Sequence, residues 1–439
     1  MQNQGIRDAR SLGTPKLLVL GLQHMFAMFG ATVLVPALTG LSVSATLLFA
    51  GLGTLFFHFL TKGKVPAFLG SSFAYLAGYA AIAPNGEAAL LPYACVGVAA
   101  SGLLYLILAA LVRGFGANRV MRFFPPVVTG PIIICIGMTL ANSAINNCTG
   151  SWDIALVAIL TVVIFNIWGK GMLRIIPILL GVLVSYVYAA VTGRVDFSGV
   201  ASAAWIGLPV KMENTVFSLI GNCDANLLVT AIIAIMPIAF ATMIEHIGDI
   251  CAISSTVGAN FIADPGLHRT LLGDGLATAF AGMFGGPANT TYGENTGVLA
   301  LSRVYDPRVI RLAALYAIIL SFSPKFDALV NSIPTAIVGG VSFVLYGMIS
   351  AVGVRNVVEN RVDLTKSRNL IIAAVIFVCG LGFASTGGIT FTVGSADITL
   401  TGLAIAALAG VILNAVLPGN DYEFGKSVEG DASADLGSY

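Results

Sequence analysis

Four acidic residues of this 439-residue chain lie in stretches that are otherwise apolar: Glu245, Asp249, Asp274 and Glu294. An ionised side chain at the centre of a bilayer costs about 2.5 kcal/mol or more, so such residues normally face a partner, water or a ligand. No lysine or arginine lies deep in an apolar stretch, so an interior ion pair explains them poorly. The alternative to a binding role is a protonated carboxyl in a polar network, and Asp274, which follows a glycine in a plain helix, fits that alternative best.

Glu245 and Asp249 are four residues apart and therefore share one face of a helix. Two close carboxylates in a low dielectric cannot both ionise easily, and one of them should hold a proton. This predicts an exchangeable proton that a proton gradient could use to drive transport. The candidate proton-coupling residues are Glu294, Asp249, Glu245 and His246. The alternatives are that Asp249 only caps or bonds another helix, and that His24 and His246 are neutral core histidines.

The same residues do not match a metal site or an enzyme. A metal site could be built from four candidate ligands, Glu245, His246, Asp249 and Glu294. No recognised ligand spacing supports such a site. No nucleophile or cofactor motif lies inside the apolar stretches. We therefore expect no catalytic residue, no metal and no cofactor.

Composition places these side chains in a membrane protein. The chain is 57% hydrophobic and only 10% charged, whereas soluble proteins carry about 25% charged residues. Its net charge of +1 gives no reason to expect binding to nucleic acid. The polar N-terminus lacks the apolar core of a signal peptide, so the first apolar run should remain as a membrane span.

Windows of about 20 apolar residues, the length that crosses a bilayer, locate the spans. Twelve ordinary candidates lie at 17–38, 43–61, 88–112, 126–145, 152–168, 175–192, 227–252, 270–285, 309–323, 333–352, 368–385 and 400–418. Two more segments, 66–84 and 287–302, open with a proline and carry a stretch rich in Gly, Ser, Thr or Asn before an apolar half-helix. Counting them predicts an all-α membrane protein with fourteen crossings.

Charge placement supports that count. With fourteen crossings, only Arg194, Lys211 and Lys325 of the 22 lysines and arginines fall on one side. Such an excess on the other side marks the cytoplasmic face. The sequence therefore predicts a multi-pass membrane protein with both termini in the cytoplasm.

The two halves of the chain repeat their unusual features in the same order. Gln23-His24 corresponds to Glu245-His246, Pro66 to Pro287, and Pro125 to Pro334. Seven crossings is an odd number, so the repeats must be inverted. Inverted repeats with broken helices in corresponding positions indicate a secondary transporter that binds its solute near the midplane. Unwound backbone survives there only inside the protein or facing a cavity.

The broken helices define the solute that would fit between them. Half-helix N-termini offer N–H groups, while carboxylates accept hydrogen bonds. Glu245 and Glu294 would therefore suit a small planar solute that has both carbonyl oxygens and N–H groups. Phe73 and Tyr292, at the two breaks, are placed to contact a flat ring. An anion would fit poorly between two carboxylates.

With these residues assembled, the chain resembles the nucleobase–ascorbate transporter family over nearly its whole length, and the bacterial uracil permeases within it most. The stretches that carry the resemblance are QHMFAMFGATVLVP (23–36), GSSFAY (70–75), EHIGD (245–249), DPGLHR (264–269) and NTTYGENTGVLALSR (289–303). The family signature reads here as Glu294-Asn295-Thr296-Gly297 and ends at Ser302-Arg303, with serine in place of threonine.

The resemblance implies two inverted seven-segment repeats, short strands in segments 3 and 10, and separate core and gate domains. The core would comprise 17–112 and 227–323, the gate 113–192 and 324–418, with an extracytoplasmic loop at 193–226 and a cytoplasmic tail at 419–439. The expected partners are uracil or a related nucleobase, protons, membrane lipid, and a second copy of the chain bound through gate-domain helices.

The resemblance also assigns the substrate site. Glu245 and Glu294 would hold the base, the backbones of Phe73 and Gly293 would supply hydrogen bonds, and Tyr346 would wall the pocket. Ser72 and Tyr292 complete the set of candidate binding residues. The function implied is proton-coupled import of uracil by alternating access. A purine or xanthine permease and an anion transporter of the same fold are the alternatives. Relatives that favour purines tend to have Gln at the position of Glu294, and some have His at that of Asp249.

Overall fold

The computed structural model describes residues 5–393, 396–420 and 422, so the tail expected at 419–439 lies mostly outside it. The described chain is mostly helical, which agrees with the expected polytopic membrane protein. Within it, seven helical stretches are long and apolar enough to cross a membrane, or eight if the bent pair Pro307–Ser321 and Pro324–Asn331 is one span. Four shorter apolar helices accompany them.

The first half of the chain contains α1 (Thr14–Thr39), α2 (Val43–Leu60), β1 (Leu69–Ser71), α3 (Leu76–Ile82), α4 (Leu91–Phe115), α5 (Ala117–Met121), α6 (Pro126–Cys148), α7 (Trp152–Trp168), α8 (Pro177–Val191) and α9 (Ser198–Ser202). The second half contains α10 (Ala225–Ile235), α11 (Ala239–Val257), α12 (Leu267–Met283), β2 (Asn289–Thr291), α13 (Gly293–Ser302), α14 (Pro307–Ser321), α15 (Pro324–Asn331), α16 (Thr335–Glu359), α17 (Ser367–Phe377), α18 (Phe383–Thr386), β3 (Ile389–Val393), β4 (Ala396–Leu400) and α19 (Gly402–Val416).

Several helices begin at side chains that cap them. Ser42 accepts a hydrogen bond from the amide of Ala45 at the start of α2, and Asp224 accepts from the first amides of α10. Asp306 accepts from the amide of Arg308 at the start of α14. These caps satisfy amides that have no partner within the helix, and they fix where each span begins.

The two segments that open with a proline meet at the centre of the fold. β1 and β2 pair in antiparallel fashion, with Gly70 opposite Thr290. Beyond the strands, the amide of Ser72 donates to the carbonyl of Ala288 at 2.9 Å, and the amide of Tyr292 donates to that of Phe68 at 3.0 Å. This pairing satisfies backbone groups that neither broken helix can satisfy alone.

A threonine on a neighbouring helix holds each strand in the same way. The hydroxyl of Thr54 in α2 accepts from the amide of Leu69 at 2.9 Å and donates to its carbonyl at 3.3 Å. The hydroxyl of Thr278 in α12 makes the same two bonds with Asn289, at 3.2 and 3.0 Å. All four residues are buried. The two halves therefore use one device to anchor their unwound segments.

Two elements were not anticipated. The stretch before α19 forms the hairpin β3–β4, and the loop expected at 193–226 contains α9 and short 3₁₀ turns. The alternation of Ile389 and Phe391 with threonines is a strand pattern, but it is short and lies beside an apolar span.

Small residues bring α4 and α12 into close antiparallel contact. A methyl group added at Gly102 would lie 2.5 Å from the carbonyl oxygen of Gly275 and 2.7 Å from the side chain of Ala279. One added at Gly282 would lie 2.8 Å from the carbonyl oxygen of Cys95. Backbone atoms cannot yield as a flexible side chain does. The two helices therefore pack backbone against backbone, and α12 in turn holds β2 through Thr278.

We expect Gly102→Ala to destabilise the protein by about 1–3 kcal/mol, because the new methyl overlaps a neighbouring backbone. Gly114→Ala, in the same helix, is the matched control, since a methyl there meets no described atom within 4 Å. The measurement is the midpoint of thermal unfolding of the purified protein in detergent. Equal midpoints for the two variants would contradict the close helix contact.

Candidate functional site

The candidate site lies where α13 begins. Its first residue is Gly293, which is exposed, and Glu294 is half-buried in the first turn. The amides of a first helical turn have no partner within the helix, and the positive end of the helix dipole lies there. This end of α13 therefore places N–H donors directly beside a carboxylate acceptor.

Asp249 brings α11 against the same point. Its Oδ2 accepts a hydrogen bond of 2.7 Å from the hydroxyl of Thr291. Its Oδ1 lies 4.0 Å from where a Cβ would stand on Gly293. Glu245 lies one turn earlier on α11 and is half-buried. The structure thus brings Glu245, Asp249 and Glu294 to adjoining helix faces, and it also gives Asp249 the interhelical bond that a structural role would require.

The two glutamates differ from the other intramembrane acids. Within the described part of the chain, no other residue makes a hydrogen bond or ion pair with the carboxylate of Glu245 or Glu294. Gly248 and Gly297, each three residues after one of these glutamates, are exposed, and a Cβ on either would meet no described atom within 4 Å. Open space therefore lies about one helical turn from each glutamate, and both carboxylates have acceptor capacity to spare.

Phe73 and Tyr346 meet at the other broken segment. Phe73 starts the 3₁₀ turn Phe73–Tyr75, and its ring centroid lies 6.2 Å from that of Tyr346 at an interplanar angle of 73°. The hydroxyls of Tyr346, Ser342 and Ser72 are buried without a hydrogen-bond partner among the described residues. α16 thus presents an aromatic ring and polar hydroxyls near the start of α3.

Tyr292 points into the protein. Its hydroxyl donates to the carbonyl of Ser71 at 2.9 Å and lies 3.3 Å from the hydroxyl of Thr32 on α1. Its ring packs against Gly70, where any Cβ would overlap it. The side chain is only 4% exposed. These contacts hold β1, β2 and α1 together.

Two buried histidines, His24 and His246, lie near the site, and each faces a polar partner. His24 on α1 lies against Asn295 of α13, whose Nδ2 donates to the His24 carbonyl at 3.0 Å and lies 3.2 Å from Nδ1. His246 on α11 is fully buried, with Nδ1 3.1 Å from Oδ2 of Asp274 on α12. That contact is close, but the ring is not aligned for a hydrogen bond. His246 therefore lies behind the candidate site and faces α12.

Sequence reasoning missed three residues that shape the site. Thr291 binds Asp249, Asn295 ties α13 to α1, and Asn289 donates to the carbonyl of Phe49 at 3.2 Å. Their signal was polarity inside an apolar segment and, for Asn295, its place in the family signature. No group of three or more His, Cys, Asp or Glu side chains in the described chain is arranged to hold a metal ion.

We expect His246→Leu to destabilise the protein by about 1–3 kcal/mol, because it leaves the buried carboxyl of Asp274 without its polar neighbour. The double variant His246→Leu/Asp274→Leu should recover much of that loss. The measurement is a double-mutant cycle on the free energy of unfolding in detergent. Additive effects of the two single variants would show that the pair does not interact.

Comparisons with known proteins give consistent results. The model of the permease family matches residues 15–389. The uracil permease of Bacillus caldolyticus is 43% identical over 425 residues, covering 94% of each chain, and that of Bacillus subtilis is 40% identical over 432 residues, covering 95% of each. Among solved structures, the transmembrane domain of the cyanobacterial bicarbonate transporter BicA superposes with a TM-score of 0.62 at 16% identity, covering 88% of this chain and 98% of that one. At that identity the superposition shows the fold alone.

Proposed function

We infer the function of this chain from its family: it belongs to the permease family, and it is a membrane transport protein, not an enzyme. We propose that it imports uracil across the bacterial cytoplasmic membrane. Two relatives of similar length, each at least 40% identical to it, are named uracil permeases. These matches cover almost the full length of this chain and of both relatives, so the proposal applies to the chain as a whole.

The observation that carries the proposal is the pair of unengaged carboxylates beside a helix N-terminus. Uracil is planar and offers two N–H donors and two carbonyl acceptors. Glu245 and Glu294 accept from its N–H groups, and the backbone amides of Phe73 and Gly293 donate to its oxygens. The edge of the uracil ring contacts the side chains of Phe73 and Tyr346, and the hydroxyl of Ser72 lies beside these two side chains.

Proton coupling is the second part of the proposal. Asp249 lies next to Gly293 and one turn from Glu245, so a proton held among Asp249, Glu245 and Glu294 would directly change the charge that the solute meets. His246 faces Asp274, away from this group, and we assign it an indirect role. A proton gradient would then bias loading on one side of the membrane.

The third part concerns movement. We propose fourteen crossings in two inverted repeats, with a core (17–112 and 227–323) that carries the carboxylates and a gate (113–192 and 324–418) that moves against it. The antiparallel pairing of β1 with β2 and the matching threonine anchors support this arrangement, because inversion places equivalent segments head to head. In this proposal, movement of the gate brings Tyr346 over one side of Phe73 and then over the other. The solute site is then open to one side of the membrane at a time.

Contacts at one end of the helices support a cytoplasmic N-terminus. Lys64 forms an ion pair with Asp264, which joins the loops after α2 and α11. Arg7 donates to the carbonyl of Val257 at the same end of α11. Lys64 and Arg7 are among the basic residues that charge placement assigns to the cytoplasmic side.

The experiment that tests the proposal is uptake of radiolabelled uracil into proteoliposomes, with and without an inward proton gradient. We expect gradient-driven accumulation that unlabelled uracil abolishes and xanthine leaves unchanged. Competition by xanthine would favour a purine permease, and uptake of bicarbonate or chloride without uracil uptake would favour an anion transporter. Binding of uracil without a response to the gradient would remove proton coupling.

We expect Glu294→Gln to weaken uracil binding by about tenfold or more. The amide lacks the charge that strengthens the hydrogen bond, and such bonds contribute about 1.5–3 kcal/mol. The measurement is the dissociation constant for uracil of the purified protein. Glu359→Gln, at an exposed position of α16, is the matched control. Unchanged affinity in Glu294→Gln would exclude Glu294 from the site.

We expect Asp249→Asn to keep uracil binding and lose gradient-driven accumulation. The asparagine oxygen can still accept from Thr291, so the substitution removes the proton carrier but keeps the interhelical bond. Uptake with and without a proton gradient measures the effect, and Asp196→Asn, in an exposed loop, is the control. Normal accumulation in Asp249→Asn would make Asp249 a structural residue.

A further inference from the structure

The segment that precedes α1 crosses the ends of the two helices that carry the site. We call residues 5–13 the N-terminal strap. It contains a 3₁₀ turn, Ala9–Leu12, capped by the side chain of Asp8. Ile6 and Ala9 of the strap pack in one apolar cluster with Val304 and Val309, which lie beyond the end of α13.

Arg7 attaches the strap to α11. Its Nη2 donates to the carbonyls of Val257 at 3.1 Å and Gly258 at 3.3 Å. Val257 ends α11, and Gly258 caps it in the left-handed conformation. The last carbonyls of a helix have no partner within it and carry the negative end of its dipole, so a guanidinium there is favourable.

The next residue towards the N-terminus, Ile6, attaches the strap to α13. Its amide donates to the carbonyl of Arg303 at 2.8 Å, and its carbonyl accepts from the amide of Tyr305 at 2.8 Å. Arg303 is the residue that caps α13, so the bridge forms immediately after the helix ends. Adjacent strap residues thus bind the ends of two different helices.

The strap is also fixed to α14. The amide of Ala9 donates to Oδ2 of Asp306 at 2.8 Å, and Arg308 pairs with Asp8 at 2.8 Å. Asp306, the cap of α14, is almost fully buried. The strap is therefore bonded to the buried cap of α14 and does not simply lie over the protein surface.

These contacts place a second link between α11 and α13. The first is the bond from Thr291 to Asp249 within the site. The second runs from Val257 through Arg7 and Ile6 to Arg303, about 12–15 Å further along both helices, since each residue of a helix adds 1.5 Å. Two helices linked at two separated points cannot pivot freely about either one. The angle between them sets how far apart Glu245 and Glu294 lie.

We propose that Arg7 is a positioning residue for the transported solute: by tying the end of α11 to the strap, it fixes the spacing of Glu245 and Glu294. The proposal rests on the assignment of those glutamates under the proposed function. Arg7 itself does not contact the solute. Its loss should weaken binding and leave the helices folded.

The test compares Arg7→Ala, Arg7→Lys and Arg10→Ala by uracil uptake in proteoliposomes. Arg10 lies in the same strap, is exposed and carries the same charge, so its variant matches the charge change. Loss of one hydrogen-bonded attachment is worth about 1 kcal/mol, which predicts an apparent KM about three- to tenfold higher for Arg7→Ala. Arg7→Lys should recover part of the loss, because an ammonium still binds the carbonyls, and Arg10→Ala should behave as wild type.

A merely stabilising role would lower the amount of active protein, and hence Vmax, without changing KM. An unchanged KM in Arg7→Ala, or an equal change in Arg10→Ala, would therefore overturn the proposal. Hydrogen–deuterium exchange of residues 250–258, the end of α11, supplies a readout that does not depend on the solute, and faster exchange in Arg7→Ala but not in Arg10→Ala is expected. If the wild-type protein takes up no uracil, the proposed function fails while this exchange comparison still decides whether the strap holds the end of α11.

Discussion

The structure depends on one constraint: hydrocarbon does not tolerate unpaired backbone amides and carbonyls. Two helices of this chain are interrupted, at β1 and at β2, and each interruption creates such groups. The fold satisfies them by pairing the two interruptions with each other and by anchoring each with a threonine hydroxyl, Thr54 or Thr278. The close α4–α12 contact and the inward-facing Tyr292 hold this arrangement in place. Helix N-termini can be aimed at a common point only because these requirements are met first.

The polar side chains divide into two groups around that point. His24 with Asn295, His246 with Asp274, and Asp249 with Thr291 each join two different elements of the fold. Glu245 and Glu294 have no such partner in the described chain. An interior carboxylate that the protein leaves unengaged beside open space is a feature of a binding site, because a purely structural network would have satisfied it.

Much of this could be read from the sequence because apolar length and helix-breaking residues are local signals. Pro66 and Pro287 mark both interruptions, and an unneutralised glutamate in an apolar stretch marks the site. The direction of a side chain is not a local signal. Tyr292 directly follows β2, as Ser72 directly follows β1, whereas Phe73 lies one residue further on. Tyr292 packs inward over Gly70, because that glycine leaves space for its ring and Thr32 of α1 offers it a hydrogen-bond partner. The partners of Asp249 and His246 were equally hidden, since each lies on a different helix. The β3–β4 hairpin was obscured by the apolar span that follows it.

The pairing of β1 with β2 also has a consequence for how the protein is made. Ser71 and Asn289 are partners, so about 220 residues of chain separate the two strands. At a synthesis rate of about 5–20 residues per second, roughly 10–40 s pass between the synthesis of β1 and that of β2. Throughout that time the first interrupted helix is in the membrane with unpaired backbone. The nascent first half therefore needs a temporary host for these groups, such as the polar interior of the insertion machinery. The centre of the protein cannot form until about two thirds of the chain has been made.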